Sequence, residues 1–174
     1  MDINKIKMLI SDVDGVWTDG TFYKGTDGIE LKRFSVLDGV GTAMANAANI
    51  KIALISGRYS PATEHRAQEL KIKDIYNGSL NKLPVYKKLK EKYNLKDDEV
   101  AYIGDDLIDI PVMEKVALPI AVANATPEVK SIAIYTTEIS GGKGAFREAV
   151  EWIIEKQGRT EIVLEALKER IQKS

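Results

Sequence analysis

The sequence predicts an α/β protein built on a doubly wound parallel sheet. Two observations predict it. Short apolar runs alternate with amphipathic segments along most of the 174 residues, the pattern of repeated βα units with helices on both faces. No long linker, low-complexity segment or fixed-period repeat interrupts them, so a single domain over 1–174 is expected. A chain of this length can bury a proper core.

The elements follow in order. "IKMLISDV" is a strand-like run that ends in acid. "TFYKGTDGIELKRFSV" places two β-rich pieces around Gly25-Thr26-Asp27-Gly28, a hairpin signal, and this segment (about 21–34) is the one insertion in the alternation. "DGVGTAMANAAN" reads as a helix and "IKIALISG" as a buried strand. "SPATEHRAQELKI" is a helix with Ser60 as N-cap, Pro61 at its first position and Glu64 in its first turn. "DIYNG" is a short strand, and "LPVYKKLKEKYNL" an amphipathic helix with Leu83, Val85, Tyr86, Leu89 and Tyr93 on its apolar face. "EVAYIGDD" is a second buried strand running into acid, followed by the short helix "IPVMEKV". "LPIAVAN" is a strand, "TPEVKSIA" a helix capped by Thr126, and "IYTT" a strand. "GAFREAVEWIIEKQ" and "RTEIVLEALKERIQK" form a helical tail over about 145–174.

Composition narrows the function. Hydrophobic residues make up 44% and charged residues 29%, and the net charge is −1, which gives no support for a nucleic-acid or membrane surface. No apolar run approaches the roughly 20 residues needed to span a bilayer. "MDINKIKMLI" has no signal-peptide h-region, so a cytoplasmic location is expected. Without cysteine there is no disulfide, thiol nucleophile or Cys-ligated zinc, and the single histidine, His65, is expected on a helix surface.

The chemistry lies just after the strands, where open α/β sheets bind ligands. "SDVDGVWTDG" puts Asp12 and Asp14 two apart after the first strand, so that in an extended chain they share a side. Like charges held together repel, and folding gains nothing from them. Ser56, Gly57 and Arg58 follow the second core strand, Lys82 follows the third, and Gly104, Asp105, Asp106 and Asp109 follow the fourth. Each piece has a plainer reading: a loop or helix cap, a turn, a solvated lysine. Gly141-Gly142-Lys143-Gly144 reads equally as a plain turn or as a ligand contact. Their coincidence at successive strand ends favours a site. Carboxylates with no His or Cys among them suit magnesium. A lysine and a hydroxyl beside such an ion suit a phosphoryl group. A carboxylate can attack phosphorus, and a second can serve as acid and base.

This constellation resembles the haloacid dehalogenase (HAD) phosphatase superfamily: "DVDGV" its first motif, "LISGR" its second, Lys82 its third and "GDDLID" its fourth. The resemblance implies a HAD-like Rossmannoid sheet. It implies Asp12 as nucleophile, Asp14 as acid/base, and Ser56 and Lys82 on the phosphoryl group. The Mg2+ ligands would be Asp12, Asp105 and the main-chain carbonyl of Asp14. Asp106 and Asp109 would orient metal-bound water or Lys82. Within the superfamily, "DVDGVWTDG", "ELKRFSVLDGVG", "HRAQEL", "GDDLIDIPVMEKV" and "GGKGAFRE" resemble the phosphatases of 3-deoxy-D-manno-octulosonate (KDO) 8-phosphate. That family implies a β-hairpin flap in place of a large cap domain, and a homotetramer with sites at subunit interfaces. It implies Arg58 and Arg66 on a sugar-acid phosphate. Lys143 stands where many relatives carry Arg, which keeps the charge but loses the bidentate fork. A sister family acting on nine-carbon sugar acid 9-phosphates tends to carry Glu at the Arg58 position, so the cation favours the eight-carbon acid. A catalytically silent assembly or phosphosugar-sensing domain is the non-enzyme alternative; an assembly domain would be expected to lack one of Asp12, Asp14, Lys82 and Asp105, and all are present.

Overall fold

In a computed structural model, residues 1–173 are described. Among the described residues the main sheet has six strands, β1 (Met8–Ser11), β4 (Lys51–Ser56), β5 (Asp74–Asn77), β6 (Val100–Gly104), β7 (Leu118–Ala121) and β8 (Tyr135–Thr136). They lie in the order β5-β4-β1-β6-β7-β8, and every neighbouring pair is parallel. Strands buried on both faces read as continuous apolar runs, and Met8, Leu9, Ile10, Ala101, Tyr102 and Ile103 are fully buried. Two short strands, β2 (Tyr23–Lys24) and β3 (Glu30–Leu31), pair antiparallel as a separate hairpin.

The helices are α1 (Val36–Ala47), α2 (Pro61–Glu69), α3 (Leu83–Tyr93), α4 (Ile110–Met113), α5 (Pro127–Ile132), α6 (Ala145–Lys156) and α7 (Thr160–Gln172). The chain runs from β1 outward to β4 and β5, then crosses back to β6, β7 and β8. Right-handed crossovers put the outward helices on one face and the returning ones on the other. α1 packs on α6 and α7, and α3 on α4. The direction of winding reverses between β1 and β6, and this switch point is where a doubly wound sheet opens a crevice.

One helix start and one helix cap differ from the sequence reading. α1 begins at Val36, two residues before Asp38, because the Ser35 hydroxyl accepts the Leu37 N–H at 3.2 Å. The freed Asp38 carboxylate is buried and accepts the Arg147 N–H at 3.1 Å, capping α6, whose own N-cap is Gly144. Ser60 precedes α2 as expected, but its side chain makes no capping bond. Instead, the Asn77 amide clamps the Ser60 backbone, accepting its N–H at 3.0 Å and donating to its carbonyl at 2.7 Å. No helix among the described residues is long and apolar enough to cross a membrane.

Candidate active site

The loop after β1 is held by its own bonds. The N–H groups of Val16, Trp17 and Thr18 all donate to the Val13 carbonyl, at 3.3, 2.9 and 3.2 Å. Trp17 is buried against Phe146, with ring centroids 4.3 Å apart, and its indole N–H donates to Ser11 Oγ at 2.9 Å. The Ser11 hydroxyl in turn donates to the Asp12 carbonyl at 2.6 Å. The third aspartate of the run, Asp19, serves the loop instead: it accepts the Thr21 N–H at 3.0 Å and meets Arg33 at 3.3 Å.

Gly15 makes the crevice possible. Its φ is +102°, and a Cβ there would overlap the Asp105 carboxylate, so only glycine lets the two loops close on each other. Gly141 plays the same part behind Gly15, since a Cβ on it would overlap the Gly15 carbonyl oxygen. Asn124 locks this contact, donating to the Gly15 carbonyl at 3.1 Å and accepting the Gly141 N–H at 2.6 Å. Gly142 N–H adds a bond of 3.0 Å to the Val16 carbonyl. The Gly-Gly turn is thus a wedge under the β1 loop, and Lys143 beside it is exposed.

Carboxylate oxygens of Asp12, Asp105 and Asp109 lie within 4.8 Å of one another. Lys82, the N-cap residue of α3, sends a fully buried ammonium among them. It pairs with Asp12, with Asp109 at 2.6 Å, and with the Tyr102 hydroxyl at 3.2 Å. Tyr102 O–H donates to Asp109 at 2.6 Å, and the other Asp109 oxygen accepts the N–H groups of Asp105 and Asp106 at 3.0 and 3.3 Å. Asp106 is exposed at the rim and caps Leu107 at 2.7 Å.

Three carboxylates around one ammonium leave an excess of negative charge. Burial, together with the Asp12 and Asp109 charges, pushes the Asp105 carboxyl up to about 8. Burial also raises Asp12, with the Lys82 ammonium pulling it back. Burial works to lower Lys82, but the Asp12 and Asp109 carboxylates outweigh it and keep the amine protonated. An all-oxygen donor set that strains to ionise fits a hard divalent cation such as magnesium. Asp109, expected only in support, therefore belongs to the cluster by position. The Asp14 carboxylate does not; it points instead to the hairpin and meets the fully buried Lys32 ammonium at 2.5 Å.

The cluster opens into a cavity of about 350 Å³ lined by Asp12, Asp14, Phe22, Arg58, Asp105 and Ile108, among others. Ser56 is buried at the end of β4, its hydroxyl donating to the Arg58 carbonyl at 2.8 Å. Arg58 reaches the cavity, but its guanidinium is not spare, because both arms engage Glu30, one of them at 3.0 Å. Arg66 and Lys143 are not in the cavity wall. Arg66 bridges Glu69 at 3.1 Å and the Ser35 carbonyl at 3.3 Å. His65 is exposed on α2. The sequence reading missed Glu30, Lys32, Tyr102 and Asn124. For the first two a signal was present, in the period-two alternation of "IELK".

A profile of haloacid dehalogenase-like hydrolases matches residues 67–145. The 3-deoxy-D-manno-octulosonate 8-phosphate phosphatase KdsC of Escherichia coli (strain K12) is 47% identical over 154 residues, which span 88% of this chain and 82% of that protein. The chain belongs to this phosphatase family. The crystal structure of the KDO 8-phosphate phosphatase from Yersinia pestis superposes with a TM-score of 0.89 at 44% identity, covering 92% of this chain and 86% of that one. The enzyme from Moraxella catarrhalis, solved with magnesium, phosphate and KDO, gives a TM-score of 0.91 at 33% identity, covering 95% of each chain. Both share the HAD-like sheet described above.

Proposed function

We propose that this chain is a magnesium-dependent phosphatase that releases phosphate from KDO 8-phosphate. One observation carries the reading: Asp12, Asp105 and Asp109 cluster at the switch-point crevice, with Lys82 between the Asp12 and Asp109 carboxylates and Asp14 beside them at the cavity wall. In the mechanism that suits this arrangement, an Asp12 oxygen attacks phosphorus while the ester P–O bond breaks, giving an aspartyl-phosphate. Asp14 delivers a proton to the departing alkoxide, then takes one from the water that attacks phosphorus and frees Asp12. Lys82 balances charge on the non-bridging oxygens, and the Ser56 hydroxyl can turn from the Arg58 carbonyl to donate to one of them. Held by Asp12 and Asp105, with Asp109 behind, magnesium supplies the charge that lets an anionic nucleophile meet an anionic phosphate.

The same proposal includes one catalytic domain over 1–174, with a flap at about 21–34, a helical tail at about 145–174, and a cytoplasmic location. It also includes association into a homotetramer. The flap carries Tyr23, Ile29 and Leu31 on its outer side, 73%, 59% and 61% exposed, more apolar surface than a two-stranded ribbon leaves in water without a partner. Arg66 and Lys143, outside the cavity of their own chain, would meet substrate only across such an interface.

The test is phosphate release from KDO 8-phosphate and from nine-carbon sugar acid 9-phosphates, after EDTA and after magnesium is restored. Magnesium-restored turnover with preference for the eight-carbon substrate is expected. Full activity in EDTA, or a preference of more than about tenfold for the nine-carbon acid, a difference of 1.4 kcal/mol, overturns the reading.

A further inference from the structure

The flap inverts the usual patterning of a hairpin. Along β3 the apolar side chains of Ile29 and Leu31 face water, while the charged side chains of Glu30 and Lys32 face inward, 10% and 0% exposed. Residues two apart on an extended strand share a face, so the two charges reach the site together. Lys32 meets Asp14 at 2.5 Å and the Thr63 hydroxyl at 3.3 Å. Glu30 takes both arms of the Arg58 guanidinium, which lies 4.0 Å from the Phe22 ring. The ribbon itself has only two residue pairs, Tyr23↔Leu31 and Lys24↔Glu30, too few to hold it over the cavity. These two ion pairs tie its inner side to the site, and Arg33 on Asp19 ties its end to the β1 loop.

A planar guanidinium grips a carboxylate through two parallel hydrogen bonds, and Glu30 already occupies that fork. A carboxylate arriving from solution competes for the same two N–H groups. We infer that Glu30 is a specificity-determining residue, an internal stand-in for the substrate carboxylate on Arg58 that yields only to a ligand carrying a carboxylate and a phosphate together. The inference rests on the proposed sugar-acid phosphate substrate. A simple phosphomonoester reaches Asp12 and Lys82 without disturbing the pair. A carboxylate alone must displace Glu30 with nothing else holding it. A ligand carrying both is anchored at its phosphate, so its carboxylate competes at a high effective concentration. An occupied fork therefore ignores the lone anions of the solution and opens for the doubly charged substrate.

The experiment measures inhibition by KDO, which has the carboxylate and lacks the phosphate, against turnover of an aryl phosphate with magnesium present. Glu30→Gln should lower the inhibition constant of KDO about three- to tenfold, the scale expected for removing one bidentate, partly exposed competitor. Glu30→Ala should move it the same way, and Glu30→Asp, which keeps the charge, should return it towards the wild-type value. In an Arg58→Ala background, Glu30→Gln should no longer change it. An inhibition constant that is unchanged or higher in both Glu30→Gln and Glu30→Ala overturns the inference, because a residue that merely holds Arg58 or the flap in place weakens KDO binding when removed. A wild-type protein that hydrolyses the aryl phosphate but neither hydrolyses KDO 8-phosphate nor binds KDO overturns the substrate assignment itself, a different result from the first.

Discussion

Lys82 is the residue on which the charge balance of the site turns. Its ammonium pairs with the buried Asp12 and Asp109 beside the half-buried Asp105, and breaking a buried pair by removing one partner is strongly destabilising. Lys82→Met should cost about 3–5 kcal/mol in metal-free protein, read by urea denaturation, and abolish turnover. Asp12→Asn is the opposite case. It removes one of the excess negative charges, so it should leave the fold intact while cutting phosphate release by at least roughly 1000-fold, checked in single-turnover assays. The pH dependence follows from carboxyls that are raised, Asp105 to about 8 and Asp12 in the same direction. A raised carboxyl favours the folded state most at pH below its unfolded pKa, and that stabilisation is lost as pH climbs through the folded value. Metal-free protein should therefore lose thermal stability between pH 5 and pH 8.5, in a trend that flattens in Asp105→Asn. Magnesium must displace those protons, so its affinity should rise with pH up to about 8 and level off above, as calorimetric titration would show.

At the scale of elements, the catalytic geometry depends on one loop being pressed into place. The turn at Gly141 and Gly142 lies directly behind Gly15, whose other side meets Asp105. Gly141→Ala forces a methyl group against the Gly15 carbonyl. It should cost about 1–3 kcal/mol and lower kcat far more than it raises KM, because the shift falls on Asp12 and Asp14. A kcat within a factor of two of wild type in a folded Gly141→Ala protein would show that the wedge does not position the loop. The elements themselves were legible, since strands such as "MLIS" and "VAYIG" are buried on both faces and leave unbroken apolar runs. So were the acids after them, because their coincidence at successive strand ends favours a shared ligand over separate loop caps. The inside of the flap was marked only by the alternation of "IELK", which does not say which side faces in. Charged residues in a hairpin read by default as its water face, and Glu30 and Lys32 turn inward only because what they cover is polar. That Arg66 lies outside the cavity of its own chain was not legible for a related reason: which face of α2 meets α1 is set by packing on the sheet, and motif spacing carries no record of it.

At the scale of the whole molecule, the outer side of the flap and the neighbouring Val36, 78% exposed, set the expectation for assembly. Sedimentation equilibrium at micromolar concentration should show a single species of four chains, and Leu31→Glu should lower that mass while leaving the circular dichroism spectrum unchanged. A wild-type protein that sediments as one chain with full activity would remove the proposed association. The position of β1 has a consequence during synthesis. The strand that carries Asp12 is translated before the other strands of the sheet yet lies in its middle, between β4 and β6. At about 5–20 residues per second, Asp105 leaves the ribosome on the order of 5–20 s after Asp12, and the Gly141 turn follows later still. Through that interval the Asp12 carboxylate, proposed above as the nucleophile, stands at the end of a strand that has not yet met β6. The nascent chain should therefore be inert towards phosphate esters until the segment that carries Gly141 closes behind Gly15.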